Sequence, residues 1–290
     1  MKTHEELKQL LARIKDNDYS IPNEIDVDGL IADMLKFIGH VDGELRDKLI
    51  YSTFCGWVDN GILSATQMRH ILATCLSETH LFFGIGEKDT DSVFTRAFSS
   101  LAIALAFVVH DENPFLTVDD VQNIKEVLLR YVGQERDYRG YVAGKGWAHS
   151  VAHIADALAN VAGCEIDGEF CIGRESLLEI LQAVKSLACN RDWVYIAEED
   201  ERLVDVVNMV CSNEILTNDD FIEWIDSFDP SDNKWWEGTV PNDYYLHVNC
   251  KHFLRSLYFN FLSCDDDEFD AINASEISKH LLTFLVESDE

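Results

Sequence analysis

Residues 148–163 read AHSVAHIADALANVAG, and the placing of this stretch decides the fold. At about 100° of turn per residue, a helix puts Val151, Ile154, Leu158 and Val161 on one side. His149, His153, Asp156 and Asn160 fall on the other, inside a stripe about 60° wide. Ala148, Ala152, Ala157 and Ala159 flank the stripe. No Lys, Arg or Glu occurs from 148 to 164, in a chain of which 26% is charged. A solvated helix face carries such residues, whereas a face of short side chains suits a groove that something else approaches closely.

The same helical period recurs on both sides of this segment. It predicts helices over 3–16, 27–39, 43–60, 64–80, 91–110, 117–132, 148–163, 173–189, 198–212, 217–228, 243–263 and 273–287. Ser64 with Gln67 and Asn273 with Glu276 have the spacing of a capping box, in which each side chain serves an unpaired amide at the helix start. Thr117 and Thr217, each followed by acids, also suit the positive end of a helix dipole. Pro22, Pro114, Pro230 and Pro241 all fall between predicted helices, and no stretch alternates long enough to suggest a sheet.

About a dozen helices with short connections predict an all-α fold of stacked antiparallel hairpins. A HEAT/armadillo-like α-solenoid is the expected form, and an α/α toroid gives a similar pattern. The reading takes 1–290 as a single all-helical domain, with 1–16 a peripheral N-terminal helix and 17–26 a linker. Two longer connections, 133–146 and 229–242 with Trp235 and Trp236, are candidates for functional loops.

Composition bounds the function. A hydrophobic content of 47%, with 4 Pro and 15 Gly, supplies a sizeable core and argues against disorder. The run 101–109 is too short to span a bilayer, and MKTHEELKQLLARIKD reads as an amphipathic helix instead of a secretory leader, so the expected location is cytoplasmic. The 8 cysteines lack any C-x-x-C pair; most read as small apolar filler, and neither a zinc ribbon nor a redox motif is expected. A net charge of −30 gives the field the wrong sign for nucleic-acid backbones. It serves solubility, capture of a basic partner, or mimicry of nucleic acid; the acids are dispersed except in 198–201 and 265–270.

Three chemistries fit the polar stripe. His149, His153 and Asp156 could supply ligands to a divalent metal. His153 oriented by Asp156 could act as a general base. The preceding loop, RDYRGYVAGKG, brings Arg139 and Lys145 to a helix start, which suits a small carboxylate or phosphate. The zincin pattern is absent, because Ser150 follows His149 where that pattern needs Glu. The P-loop is absent too, since only three residues separate Gly140 from Gly144. Trp147, Asn160, Arg96 and His252 are further candidates to line the groove. His252 lies in a second polar stripe with Asn249, Ser256 and Asn260. Pairing with carboxylates is the plainer reading of Arg96 and Arg255.

RDYRGYVAGKGWAHSVAHIADAL resembles the signature of a bacterial family known only as domain of unknown function 2785. Asp137, Arg139, Gly140, Lys145, Gly146, Trp147, His149, His153 and Asp156 occupy its matching positions. The segments around Arg96 and Arg255 are similar to weaker parts of the pattern. The resemblance implies that most of the chain shares that fold, and it carries no activity. The leading expectation is a helical-repeat protein that binds a partner segment or a small anionic ligand in a groove lined by His149, His153 and Asp156. The alternatives are a metal-dependent hydrolase using that trio, and an acidic structural protein or nucleic-acid mimic.

Overall fold

A computed structural model describes residues 2–230, 236–264, 269 and 271–287. Trp235 and the acids of 265–270 lie outside the described residues. The chain is mostly helical. In order it forms α1 (His4–Asp16), α2 (Val27–Lys36), a π-helical turn (Glu44–Tyr51) leading into α3 (Ser52–Asp59), α4 (Ala65–Cys75), α5 (Ser92–Glu112) and α6 (Val118–Gln134). A hairpin of β1 (Tyr141–Val142) and β2 (Gly146–Trp147) precedes α7 (Ser150–Gly163). A second, of β3 (Glu165–Ile166) and β4 (Glu169–Phe170), follows it. The chain ends in α8 (Arg174–Ala188), α9 (Glu199–Cys211), α10 (Asn218–Asp226), α11 (Asn242–Ser263) and α12 (Ala274–Glu287). Strands of two residues are too short to leave a period in the sequence, so neither hairpin is foreseen.

Two compact units divide the chain where the sequence suggests one domain: Met1–Thr117 with Gln134–Ala157, and Val118–Gly133 with Leu158–Glu290. In the first unit α5 is the central helix. Phe94, Phe98, Ile103 and Phe107 are buried around its circumference, as expected of a helix apolar on every side. It is the one described helix long and apolar enough to cross a membrane by composition, and 83% of its most apolar window is buried in the protein.

The N-terminal helix packs through one face. Leu7, Leu10, Leu11 and Ile14 are buried, and α1 packs on the π-helical turn and on α3. Its Thr3–Glu6 capping box fixes where it starts. The expected linker is anchored as well, because Trp57 Nε1 donates to the Tyr19 carbonyl at 3.1 Å. The Tyr19 ring lies so close to Gly56 that an added Cβ would sit 2.3 Å from it, which is why that helix position needs glycine.

The second unit is organised by α11, which packs on α8, α9 and α12. Phe253 of α11 stacks on Phe228 at 5.7 Å, and Trp224 meets both rings edge-on. The expected caps at Ser64 and Thr217 form as full boxes, and the Glu276 amide donates to Asn273 Oδ1 at 2.9 Å. The helix foreseen over 64–80 stops at Cys75 and passes into a run of turns.

Candidate functional site

The loop after α6 is built on two ion pairs. Glu135 is buried and accepts from Arg96 Nε at 2.6 Å and Arg96 Nη2 at 2.8 Å. The remaining Arg96 donors reach the Phe83 and Gly84 carbonyls and Ser92 Oγ. The expectation that Arg96 lines a groove therefore gives way: it is fully buried, and its donors are spent inside the protein. Two residues beyond Glu135, Asp137 accepts from Arg139 Nε at 2.8 Å and Nη2 at 2.7 Å. Arg139 also donates to the Thr90 carbonyl, and the carboxylate of Asp137 raises the pKa of its guanidinium. This pair explains the D-x-R spacing: the loop folds back on itself around it.

The hairpin follows directly. Tyr141 pairs with Trp147 and Val142 with Gly146. The ladder continues as Ala148 N donates to Gly140 O and His149 N to Arg139 O. Gly144 and Gly146 take positive φ values of 77° and 85°, the turn conformation that glycine adopts without strain. Val142 packs on Val93, Phe94 and Ala148. Lys145, half of the expected basic patch, pairs with Asp91 at 2.6 Å.

Arg46, from the π-helical turn, clamps this hairpin. Its Nη2 donates to the Lys145 carbonyl at 2.7 Å and the Trp147 carbonyl at 3.0 Å, and its Nη1 to the His40 carbonyl at 2.5 Å. The guanidinium lies over the Phe94 ring at 4.1 Å and the Phe98 ring at 4.9 Å. It is fully buried, pairs with no carboxylate among the described residues, and leaves Nε without a partner. Burial lowers its pKa to about 10, which keeps it charged at neutral pH. Nothing in ELRDKLIY distinguishes Arg46 from a solvated residue, so the sequence hides the anchor.

His149 is not on the helical stripe as expected. Its φ is +54°, a left-handed conformation costing a non-glycine residue about 1 kcal/mol, and α7 starts one residue later. Its carbonyl still accepts from the His153 amide at 3.0 Å, so it closes the first helical turn from outside. The ring stacks on Trp147 at 4.7 Å with a 21° interplanar angle. His153 meets His149 edge-on at 5.7 Å and Phe98 at 5.2 Å, and Phe98 in turn meets Tyr51. With Tyr141 against Trp147 at 5.1 Å, six rings form a continuous path from surface to core.

Farther along α7, Asp156 and Asn160 are half-buried, while Val151, Ile154, Leu158 and Val161 are buried as expected. Among the described residues, no group of three or more His, Cys, Asp or Glu is arranged to hold a metal ion. The turn at His149 explains this for the expected trio: it takes that imidazole off the helical spacing on which a ligand set with His153 and Asp156 depends.

Asn160 and His252 belong to the second unit, and His252 is exposed. The remainder of its stripe is a seam. Asn249 bonds to Tyr195, Asn190 and Trp193, Ser256 to Asp200, and Asn260 exchanges hydrogen bonds with Asn208. Tyr141, at 60% exposure, and Trp147, at 37%, are the open end of the aromatic path. Sequence reasoning passes over Tyr141, although an aromatic residue facing Trp147 across a Gly-rich turn is its one visible signal.

A mostly helical protein with an arginine-clamped aromatic hairpin at a helix start is thus defined. The sequence model of the family described as Protein of unknown function (DUF2785) matches residues 81–259, more than half of the chain, and the chain belongs to that family. Neither the curated proteins nor the solved structures contain a match.

Proposed function

We propose that the protein is a binding module whose hairpin and α7 start receive a basic segment of a partner protein. The observation that carries this reading is the exposed Tyr141–Trp147 pair, backed by the stacked His149 ring. An aromatic face attracts a Lys or Arg side chain by about 0.5–2 kcal/mol. The net charge of −30 draws a basic segment toward the surface. Because Arg46 holds the hairpin backbone, little ordering is left to be done on binding.

A small anion fits this loop less well. Arg139 and Lys145 already pair with Asp137 and Asp91, and an incoming carboxylate or phosphate must compete with those partners. Sequence-adjacent helices pack on each other within each unit, α4 on α5 and α8 on α9. That supports a HEAT- or armadillo-like arrangement of hairpins, a type of scaffold used for extended partners.

Titration calorimetry with Lys/Arg-rich and Asp/Glu-rich peptides of equal length, and with inorganic phosphate, tests this reading. The basic peptide should bind, more weakly as salt rises, and Trp147→Ala should cost about tenfold in affinity. Phosphate binding that Lys145→Ala abolishes, or basic-peptide binding indifferent to Trp147→Ala, overturns it.

A further inference from the structure

The second unit brings together cysteines that the sequence keeps apart. Cys189 ends α8 and Cys250 lies in the middle of α11, yet their sulfur atoms are 3.3 Å apart. The Cys250 thiol donates its hydrogen toward Cys189 Sγ. Cys250 is fully buried, whereas Cys189 is half-buried.

Charge separates the roles of the two sulfurs. The C-terminal end of α8 opposes a thiolate at Cys189. Lys185, one turn back, and Arg191, two residues on, counter that end with positive charge. Lys185 is fixed by donating to the Ser227 carbonyl at 2.6 Å, and Arg191 by donating to Asp243 at 2.6 Å. The hydrogen bond from Cys250, followed by these two cations, holds the Cys189 thiol below its ordinary range, while the same contact and burial push Cys250 up. Two neighbouring cations also argue against a metal ion as the occupant.

We propose that Cys189 and Cys250 form a peroxide-reactive pair, Cys189 being attacked first and Cys250 resolving it into a reversible disulfide. In the first step Cys189 Sγ, its proton released, attacks one oxygen of a hydroperoxide. An S–O bond forms, the O–O bond breaks, and the departing oxygen leaves with that proton as water or an alcohol. In the second step Cys250 Sγ attacks the Cys189 sulfur. The S–S bond forms, the S–O bond breaks, and hydroxide leaves as water with the Cys250 proton. Two thiols lose two electrons and the peroxide gains them.

A second pair provides an internal comparison. Cys164 and Cys171 flank the β3–β4 hairpin with their sulfurs 3.7 Å apart. Both are buried, and burial pushes the Cys171 thiol up, so this pair lacks a half-buried, cation-flanked cysteine. Cys55 is half-buried and raised by burial, which makes it a single-thiol reference.

The test treats the reduced full-length protein with hydrogen peroxide at stoichiometric doses, blocks remaining thiols by alkylation and digests with trypsin. Cys189 lies alone in peptide 186–191 and Cys250 alone in peptide 235–251. The expected product is those two peptides cross-linked, lighter than their sum by two hydrogen atoms and separated by dithiothreitol. Cys189 should react at least ~10-fold faster than Cys55. In Cys250→Ser, or in Cys250→Ala where circular dichroism shows the serine variant unfolded, Cys189 should be trapped by dimedone as a sulfenic acid. Recovery of both peptides separately alkylated, at a dose that has oxidised Cys55 or joined Cys164 to Cys171, overturns the proposal. Dimedone labelling of Cys55 as fast as Cys189 overturns it as well.

Discussion

Two arginines of the first unit are equally inaccessible to water, and the protein treats them in opposite ways. Arg96 faces a carboxylate squarely, with two parallel hydrogen bonds to Glu135. Arg46 has carbonyl oxygens and the faces of two phenylalanines. The first arrangement neutralises charge and fixes where the loop leaves α6. The second keeps a net positive charge in the core and uses it to hold backbone from a distant part of the chain. A buried cation with a counter-ion is a fastener between two side chains. One without is a fastener for backbone, and it holds the hairpin through atoms that no hairpin mutation removes.

This contrast can be broken most forcefully at Glu135. Glu135→Ala leaves Arg96 buried without its counter-charge and should cost about 3–5 kcal/mol in urea unfolding. Replacing both partners, Arg96→Met with Glu135→Leu, should recover most of that loss. Arg46→Met should cost less, about 2 kcal/mol, because the lost hydrogen bonds are offset by removing a buried charge that has no directly bonded carboxylate among the described residues. Should Arg46→Met prove costlier than Glu135→Ala, the distinction between the two fastenings fails.

Acid should separate the two regions next. Burial, and after it the neighbouring His4, lower the pKa of His40, whose carbonyl accepts from Arg46. The unfolded chain therefore binds more protons at this site, and stability is full above the ordinary histidine value of about 6.5. It is lost as pH falls from there toward the folded value, when a second positive charge develops beside Arg46. Amide exchange at Lys145 and Ala148, which the hairpin protects, should speed up on acidification before exchange at Arg136 and Asp137, which Glu135 protects. His40→Gln should remove that difference, and simultaneous loss of protection in both regions counts against it.

The smallest effect is expected on the surface. The Lys145–Asp91 pair is 41% and 44% exposed on its two side chains, so Lys145→Ala should change stability by less than about 1 kcal/mol. A larger loss would mean that the hairpin depends on this pair as well as on Arg46.

Much of the helical content was legible because apolar residues at helical spacing and capping pairs such as Ser64–Gln67 are local signals. The hydrophobic side of α7 was legible for the same reason. His149 was misplaced because a left-handed residue leaves no mark on a helical wheel, and only the preceding glycines hinted at a turn. Arg96 could be narrowed to a paired cation but not to its partner, since Glu135 lies 39 residues away. Arg46 was invisible: what makes it an anchor is the carbonyls of His40, Lys145 and Trp147, and sequence does not place residues about 100 positions away beside it. The Cys189–Cys250 contact joins positions 61 residues apart and was hidden in the same way.

The clamp has a consequence for how the chain can be cut. The match to the family model begins at residue 81, and the matched segment carries the hairpin, α7 and the Arg96–Glu135 pair. The cation that fixes the hairpin lies at residue 46, upstream of that boundary. A fragment cut to the matched segment would keep the hairpin's sequence without the geometry Arg46 imposes.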